Sequence, residues 1–277
     1  MASGGRYPNQ PTRPKRCLTV DMDIGIVTNT DRDPRLTYTK EISEWLINHG
    51  HTPVLEGDGV YSSKFLIVLG GDGTMLQAAH KAAKHSTPML GINLGNLGYL
   101  TDVDRHDGIN AIEKMLNGDF RREQRMMLTV RDYFALNEVA IRRDGSFKLM
   151  EFRICAGGFY MDTFRADGVI VSTPTGSTAY NLSAGGPILR PDSEMIVITA
   201  VCPHTLYTRP WVLSGNDSVS LVPLDVHGGR AAVSIDGEVK FFLEPGEEIT
   251  VTRSDYSAIV VKTENTDFFE VLRKKIK

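Results

Sequence analysis

The sequence predicts an α/β N-terminal domain with a parallel, Rossmann-like sheet, then a β-rich domain of sandwich type, then a C-terminal helix returning to the first domain. Three observations carry that expectation. From Asp23 to about Phe120, short β-rich runs alternate with longer runs at helical spacing, the pattern of parallel strands joined by crossover helices. From Arg121 onward the pattern changes to short β-rich runs separated by turns. The last stretch, Thr266 to Ile276, is apolar at Phe268, Phe269, Val271, Leu272 and Ile276, so as a helix it is amphipathic and needs a surface to cover. The domains expected are 23–120 plus 263–277 for the α/β part and 121–262 for the β part. Residues 1–22, rich in Pro, Gly, Asn and Arg, are expected to be a mobile tail.

Ile24 to Thr28 opens the α/β part as a first strand. Leu36 to His49 carries Leu36, Ile42, Leu46 and Ile47 at roughly helical spacing and stops at Gly50, a helix with a glycine end. Lys64 to Leu69 is almost continuously apolar, as a strand covered on both faces must be. It runs into Gly70-Gly71-Asp72-Gly73-Thr74 and an alanine-rich helix, Met75 to His85. Pro88 to Ile92 is another buried strand, Asn93 to Tyr99 a loop, and Ile109 to Leu116 a helix closed by Asn117-Gly118. The β part should use Met127–Arg131, Leu136–Arg142, Phe147–Ile154, Val169–Ser172, Met195–Val201, Ser218–Leu221, Ala231–Ile235 and Glu248–Arg253, with hairpin turns at Asp144-Gly145 and Asp236-Gly237.

Composition narrows the function. With 41% hydrophobic and 23% charged positions in 277 residues, the chain can bury a core. Lys plus Arg number 31 against 34 Asp plus Glu, so no basic excess calls for a nucleic acid. Apolar runs are far shorter than the roughly 20 residues of a membrane span, and the N-terminus lacks the apolar stretch of a secretory signal. Three cysteines, Cys17, Cys155 and Cys202, are too few and too scattered for a disulfide framework and suit a reducing, cytoplasmic setting. The P-loop, GxGxxG, GxSxG and HExxH patterns are all missing, which removes P-loop NTPases, common dinucleotide folds, serine hydrolases and zincins from the front rank.

Two segments remain as carriers of chemistry. In Gly70 to Thr74 the glycines let backbone N–H groups approach an anion, and the following helix adds its positive end. Five other Asp-Gly pairs in the chain read as ordinary turns, but this one joins a doubly buried strand to a helix, so phosphate binding is favoured here. Asp72 beside phosphate must then hold Mg²⁺ or accept a proton from an attacking hydroxyl. The second segment, Asp167 to Pro187, runs from a strand into hydroxyls, small residues and Tyr180. Alone it fits a polar helix cap as well as it fits a site for a planar base.

Taken together, GGDGT at Gly70–Thr74, NLGNLGYLT at Asn93–Thr101, Asn137-Glu138 within LNEVAI, DGVIVSTPTGSTAYNLSAGGPI at Asp167–Ile188 and the Ser234–Gly237 turn resemble the signatures of the NAD kinase family, in its order. The resemblance implies a fold of the layout just described. It also implies transfer of the γ-phosphoryl group of ATP, accompanied by Mg²⁺, to the 2′-hydroxyl of the adenosine ribose of NAD. On it, Asp72 is the catalytic base or hydroxyl-orienting carboxylate, with Gly70, Gly71, Gly73 and Thr74 serving the phosphates. Asn137 and Glu138 take the adenine and ribose, and Asp167, Thr175, Thr178, Ala179, Tyr180 and Ser183 line the NAD site. A homodimer or homotetramer is implied, with no metal ligands assigned. Two other readings stay open at this point: a related GGDGT kinase acting on a lipid or sugar hydroxyl, and a non-catalytic NAD-binding regulatory module.

Overall fold

The computed structural model describes residues 21–95, 98–101, 103–145, 148–205, 208–226, 229–264 and 267–275. Residues 1–20 of the expected tail lie outside these, as do Asn96 and Leu97 of the second glycine loop, Phe147, Thr266 and Ile276.

The first half consists of β1 (Asp23–Thr28), α1 (Thr37–Asn48), β2 (Thr52–Val54), β3 (Phe65–Gly70), α2 (Asp72–Ala82), β4 (Pro88–Asn93), β5 (Val103–Asp104) and α3 (Gly108–Leu116). These strands pair in parallel in the spatial order β2-β1-β3-β4-β5. Every residue of β3 and β4 is buried, because helices cover both faces of the sheet. One face packs Ile24, Ile26, Ile67, Leu69 and Ile92 against Ile42 and Leu46 of α1 and Ile112 of α3. The other packs Leu66, Val68 and Met89 against Met75, Ala78, Ala79 and Ala82 of α2. Alanines at those α2 positions are what let the helix lie close to the sheet. Asp33 starts α1: its carboxylate accepts the backbone N–H groups of Thr37 and Thr39 at 2.9 and 3.0 Å. Burial pushes its pKa up, but the hydrogen bonds from Thr39, Tyr38 and Thr37 outweigh that and hold it below the usual value.

The second half contains β6 (Arg121–Val130), β7 (Tyr133–Ala135), β8 (Glu138–Asp144), β9 (Met150–Ala156), β10 (Phe159–Ala166), β11 (Gly168–Ser172), α4 (Tyr180–Ser183), β12 (Met195–Val201), β13 (Trp211–Ser214), β14 (Val219–Asp225), β15 (Arg230–Ile235), β16 (Glu238–Leu243), β17 (Ile249–Lys262) and α5 (Phe268–Lys275). One antiparallel sheet has the order β13-β12-β11-β8-β15-β16. It faces β10-β9-β14-β17 across a core of Val139, Ile141, Phe152, Ile154, Val169, Val171, Ile198, Leu221 and Val233. The 14-residue β17 is the hinge between the halves: it begins against β14 at Ile249–Val251 and ends parallel to β4, Ile259 opposite Pro88. The parallel sheet and one layer of the sandwich are therefore one continuous 11-stranded sheet.

The α/β-plus-sandwich architecture agrees with the sequence expectation, and several local features differ. Asp144-Gly145 is no hairpin: β8 pairs with β11 and β15, and β9 with β10 and β14, so the chain there changes sheets. The turn that does join paired neighbours in that region is Gly157-Gly158, both at positive φ, between β9 and β10. Asp236-Gly237 forms the expected β15–β16 hairpin, with φ of 48° and 87°. Helix α2 begins at Asp72, three residues before the alanine-rich stretch, because Gly71 is extended and Asp72 already takes helical geometry.

Candidate active site

The parallel sheet reverses direction of winding between β1 and β3, whose carboxyl ends lie side by side, Thr28 opposite Leu69. A crevice opens at such a point because the connections leave on opposite sides. Here it is a cleft of about 380 Å³ lined by Asn29 and Arg32 after β1, Gly70, Gly71, Gly73, Thr74 and Gln77 after β3, and Asn93, Leu94 and Gly95 after β4. All four predicted phosphate residues are in it. Gly70 has no room for a side chain, since a Cβ there would overlap the Thr74 hydroxyl. Asn29 Nδ2 donates to that hydroxyl at 3.3 Å. The Arg32 guanidinium lies over Gly95 and is the one cationic side chain of the lining. Asn93, 3% exposed, uses its carbonyl oxygen to accept from Gly95 N at 2.9 Å and leaves its Nδ2 without a partner. A buried, unpaired N–H₂ beside a glycine loop and a helix N-terminus is a donor awaiting an acceptor.

Asp72 occupies the first turn of α2 and turns away from the cleft floor toward the loop after β4. Its Oδ2 accepts Tyr99 N at 2.8 Å, and its Oδ1 accepts Leu100 N at 3.0 Å and both Thr101 N and Oγ1 at 3.3 Å. Four donors fix the carboxylate's orientation. Burial, and after it the Asp72 charge, raises the Tyr99 pKa, so the phenol stays neutral beside it. Tyr99 also lines a small cavity with Arg125, Pro174, Thr175, Thr178, Phe268 and Val271. The loop holding Asp72 thus reaches two of the predicted NAD residues. Helix α5 comes back to this place, with Lys275 Nζ 4.9 Å from the Tyr99 ring centroid.

Asn137 and Glu138 stand at the start of β8, on a backbone held by Asp236. Its Oδ1 accepts Asn137 N at 2.8 Å and Glu138 N at 3.0 Å, and its Oδ2 accepts Leu136 N at 2.8 Å. His80 of α2 donates to the same Oδ2 at 2.7 Å. Glu138 is 5% exposed and its Oε2 has no hydrogen-bond partner. Burial first, and the Asp236 charge second, push its carboxyl up to about 7.

The remaining predicted residues divide. Thr175 is buried, with its Oγ1 3.5 Å from Arg125 Nη1, and Thr178 and Ala179 are half-buried in the short turn ahead of α4. Tyr180 is half-buried under the Arg142 guanidinium, 6.0 Å from its ring centroid, and Arg142 pairs with Gly168 at the far end of β11. Asp167 is at that far end too, paired with Arg143 at 3.0 Å, and Ser183 is exposed at the end of α4. The length of β11 plus one residue, about 17 Å at roughly 3.3 Å per residue, separates Asp167 from the Ser172 end that abuts Asn137. The structure therefore gathers Asp72, the glycine loop, Asn137, Glu138, Thr175 and Thr178, and does not bring Asp167 or Ser183 to them. Sequence reasoning missed Asn29, Arg32, Asn93 Nδ2 and His80. The carboxyl end of β1 was a signal for the first two; nothing local marks His80, whose partner is 156 positions away.

A glycine-lined cleft at the switch point of a parallel sheet, with a fixed carboxylate beside it and a buried acid on the adjoining β layer, has the make-up of a phosphotransferase of two-part α/β and β construction. Residues 61–120 match the family of the ATP-NAD kinase N-terminal domain and residues 136–263 that of the ATP-NAD kinase C-terminal domain. An NAD kinase of Caldanaerobacter subterraneus subsp. tengcongensis is 37% identical, over 91% of this chain and 98% of its own. Among solved structures, an NAD kinase from Archaeoglobus fulgidus in complex with ATP superposes with a TM-score of 0.79 at 28% identity, over 92% of this chain and 98% of that one. Yeast NADH kinase complexed with NADH shares the fold, with a TM-score of 0.79 at 22% identity over 96% and 92% of the two chains. The chain belongs to the NAD kinase family.

Proposed function

We infer that the chain transfers the γ-phosphoryl group of ATP to the 2′-hydroxyl of the adenosine ribose of NAD, giving NADP. The observation that carries this reading is the place of Asp72, clamped by four donors between the glycine-loop cleft and the cavity that holds Thr175 and Thr178. The backbone of Gly70, Gly71, Gly73 and Thr74 and the N-terminus of α2 receive the donor's phosphates, and Arg32 and Asn93 Nδ2 add a charge and a donor. Asn137 and Glu138 hold the adenosine, the ribose 3′-hydroxyl donating to the Glu138 carboxylate so that the 2′-hydroxyl proton is left for Asp72. Asp72 orients the 2′-hydroxyl and takes its proton. In a loose phosphoryl-transfer transition state that proton leaves late, so alignment is the larger part of the carboxylate's contribution. Thr175, Thr178, Ala179 and Tyr180 complete the dinucleotide wall. Asp167 and Ser183 belong to the same reading only from beyond the group that one chain assembles.

Among the described residues no three His, Cys, Asp or Glu side chains converge as metal ligands. Mg²⁺ would enter on the triphosphate, since this ion commonly keeps water and substrate oxygens with one or two carboxylates. It would neutralise charge on the transferring phosphate. We further propose a homo-oligomer, dimer or tetramer, working in the cytoplasm. No described helix is long and apolar enough to cross a membrane.

The test is a coupled assay with Mg-ATP and NAD, in which an NADP-specific dehydrogenase reports product. Wild type makes NADP, while Asp72→Asn nearly abolishes turnover and leaves calorimetric NAD binding largely intact. Unchanged turnover in Asp72→Asn removes the assignment of Asp72, and NAD binding without NADP formation in the wild type replaces the kinase with a regulatory module.

A further inference from the structure

We propose that His80 and Asp236 form a strut that sets the distance between the phosphoryl-transfer carboxylate Asp72 and the ribose-binding pair Asn137-Glu138, and that both are positioning residues for the acceptor. This rests on the NAD kinase reading of the site and adds a device to it. Asp72 and His80 are on one helix, eight residues and about 12 Å apart at roughly 1.5 Å per residue, so α2 acts as a rigid spacer. At one end the spacer presents Asp72. At the other, His80 Nε2 donates to Asp236 Oδ2 at 2.7 Å; a carboxylate only accepts, so Nε2 carries the proton. Asp236 spends its remaining acceptor capacity on the backbone N–H groups of Leu136, Asn137 and Glu138, at 2.8, 2.8 and 3.0 Å. The hairpin gives back one more bond, Asp236 N to Glu138 O at 3.0 Å. Two turns of helix, one imidazole and one carboxylate thus fix where the start of β8 stands relative to Asp72.

Burial separates this role from plain structural support. The His80 side chain is 30% exposed and that of Asp236 3%. Without the imidazole Asp236 still keeps three backbone N–H donors, so folding loses one hydrogen bond to a charged group, whereas the length and direction of that bond govern a site in which a displacement of about 1 Å costs on the order of a hundredfold in rate. Glu238, the charged neighbour across the hairpin, is occupied by Lys240 at 2.6 Å and does not replace Asp236 as the partner. The buried, unpartnered Glu138 Oε2 shows what the strut holds ready: an acceptor kept in place with no protein donor of its own.

Three proteins test this: wild type, His80→Leu and His80→Gln, the glutamine amide nitrogen standing where Nε2 stands. In His80→Leu, kcat/KM for NAD should fall about thirtyfold with KM for ATP within about twofold of wild type, and the protein should still unfold cooperatively with a melting temperature lowered by only several degrees. His80→Gln should recover to within about threefold of wild type by restoring the donor. A leucine variant with unaltered kcat/KM for NAD overturns the strut, and so does a glutamine variant as impaired as the leucine one. Loss of cooperative folding in both variants also overturns it, because His80 would then be a structural support. A wild type that makes no NADP sinks the underlying kinase reading instead, which this comparison distinguishes.

Discussion

Gly98 touches no predicted substrate, yet changing it to alanine should disable the enzyme. The residue faces Asp72 across the loop after β4: an added Cβ would overlap Asp72 Oδ1 and come within 2.5 Å of both Asp72 Cγ and Thr101 Oγ1. Ordinary non-bonded separations are about 3.5 Å, so the carboxylate carbon has to retreat by roughly 1 Å and Oδ1 by more than that. Retreat strips Oδ1 of Leu100 N, Thr101 N and Thr101 Oγ1, bonds of 3.0 to 3.3 Å. Hydrogen bonds to a charged group contribute roughly 1.5–3 kcal/mol each at good geometry, and these are long, so the fold should lose about 2–4 kcal/mol. The kinetic effect is larger in proportion: misplacing the hydroxyl-orienting group by about 1 Å predicts a fall in kcat on the order of a hundredfold. The coupled NADP assay measures this, with thermal unfolding beside it to follow stability and calorimetry to confirm that NAD still binds. Asp72→Asn provides the floor. A Gly98→Ala enzyme that folds and keeps kcat within about threefold of wild type refutes the claim that the loop's grip on Asp72 sets its catalytic geometry.

Two other changes read the two ends of the site. Arg32→Ala should raise KM for ATP about tenfold, the loss of one charge-assisted contact worth roughly 1.4 kcal/mol, and leave KM for NAD in place; steady-state titration of each substrate checks both. Glu138, with its carboxyl pushed from 4.5 up to about 7, is protonated in the fold at pH values where it ionises in the unfolded chain. The folded state therefore binds more protons, and stability falls as pH rises from about 4.5 to about 7, by at most about 3 kcal/mol. Glu138→Gln should flatten that slope, and melting temperatures taken from pH 5 to pH 8 will show it or contradict it. NAD binding to wild type should strengthen as pH rises through about 7, because the ionised carboxylate accepts from the ribose hydroxyl more strongly than the neutral acid does.

The sequence disclosed the architecture well wherever burial imposes a period. β3 and the stretch of β4 from Pro88 to Ile92 were legible as buried strands because their residues are apolar or small, and α1 because Ile42 and Leu46 recur on one face. Strands half open to solvent were not: β10 and β16 mix Tyr160, Asp162, Arg165, Glu238 and Lys240 among their apolar residues, so alternation is weak. β17 was seen only at its first residues, since the break between Arg253 and Ser257 interrupts its alternation midway. In the site, the glycine loop and Asn137-Glu138 could be read from local chemistry and motif order. Asn29 and Arg32 were signalled only by their place after β1, and His80 by nothing local, because it acts through Asp236, brought near only by folding.

The hydroxyl-rich segment that made the family resemblance specific does two jobs, and its residues can be sorted between them. Thr173 donates to Leu136 O at 2.6 Å and accepts Gly176 N at 3.0 Å, while its own N–H goes to Asn137 O at 2.9 Å. Gly176 is glycine because a Cβ would overlap that same Asn137 carbonyl, and Ser177 ties Pro174 O, at 2.6 Å, to Leu189 N, at 3.0 Å. Asn181 binds Ser177 O and Pro187 O and accepts from Thr199 at 2.7 Å, with Gly186 bare so that its amide fits. These groups are buried and satisfied by one another, as groups away from water must be. None is free to meet a ligand. What they build is a backbone wrapped round Asn137 from one side while Asp236 holds it from the other, leaving Pro174, Thr175 and Thr178 as the segment's contribution to the cavity wall. A motif dense in hydroxyls is thus mostly a support, and the pair proposed to bind adenosine stands still because the segment grips Leu136 and Asn137 while Asp236 grips the same two residues and Glu138.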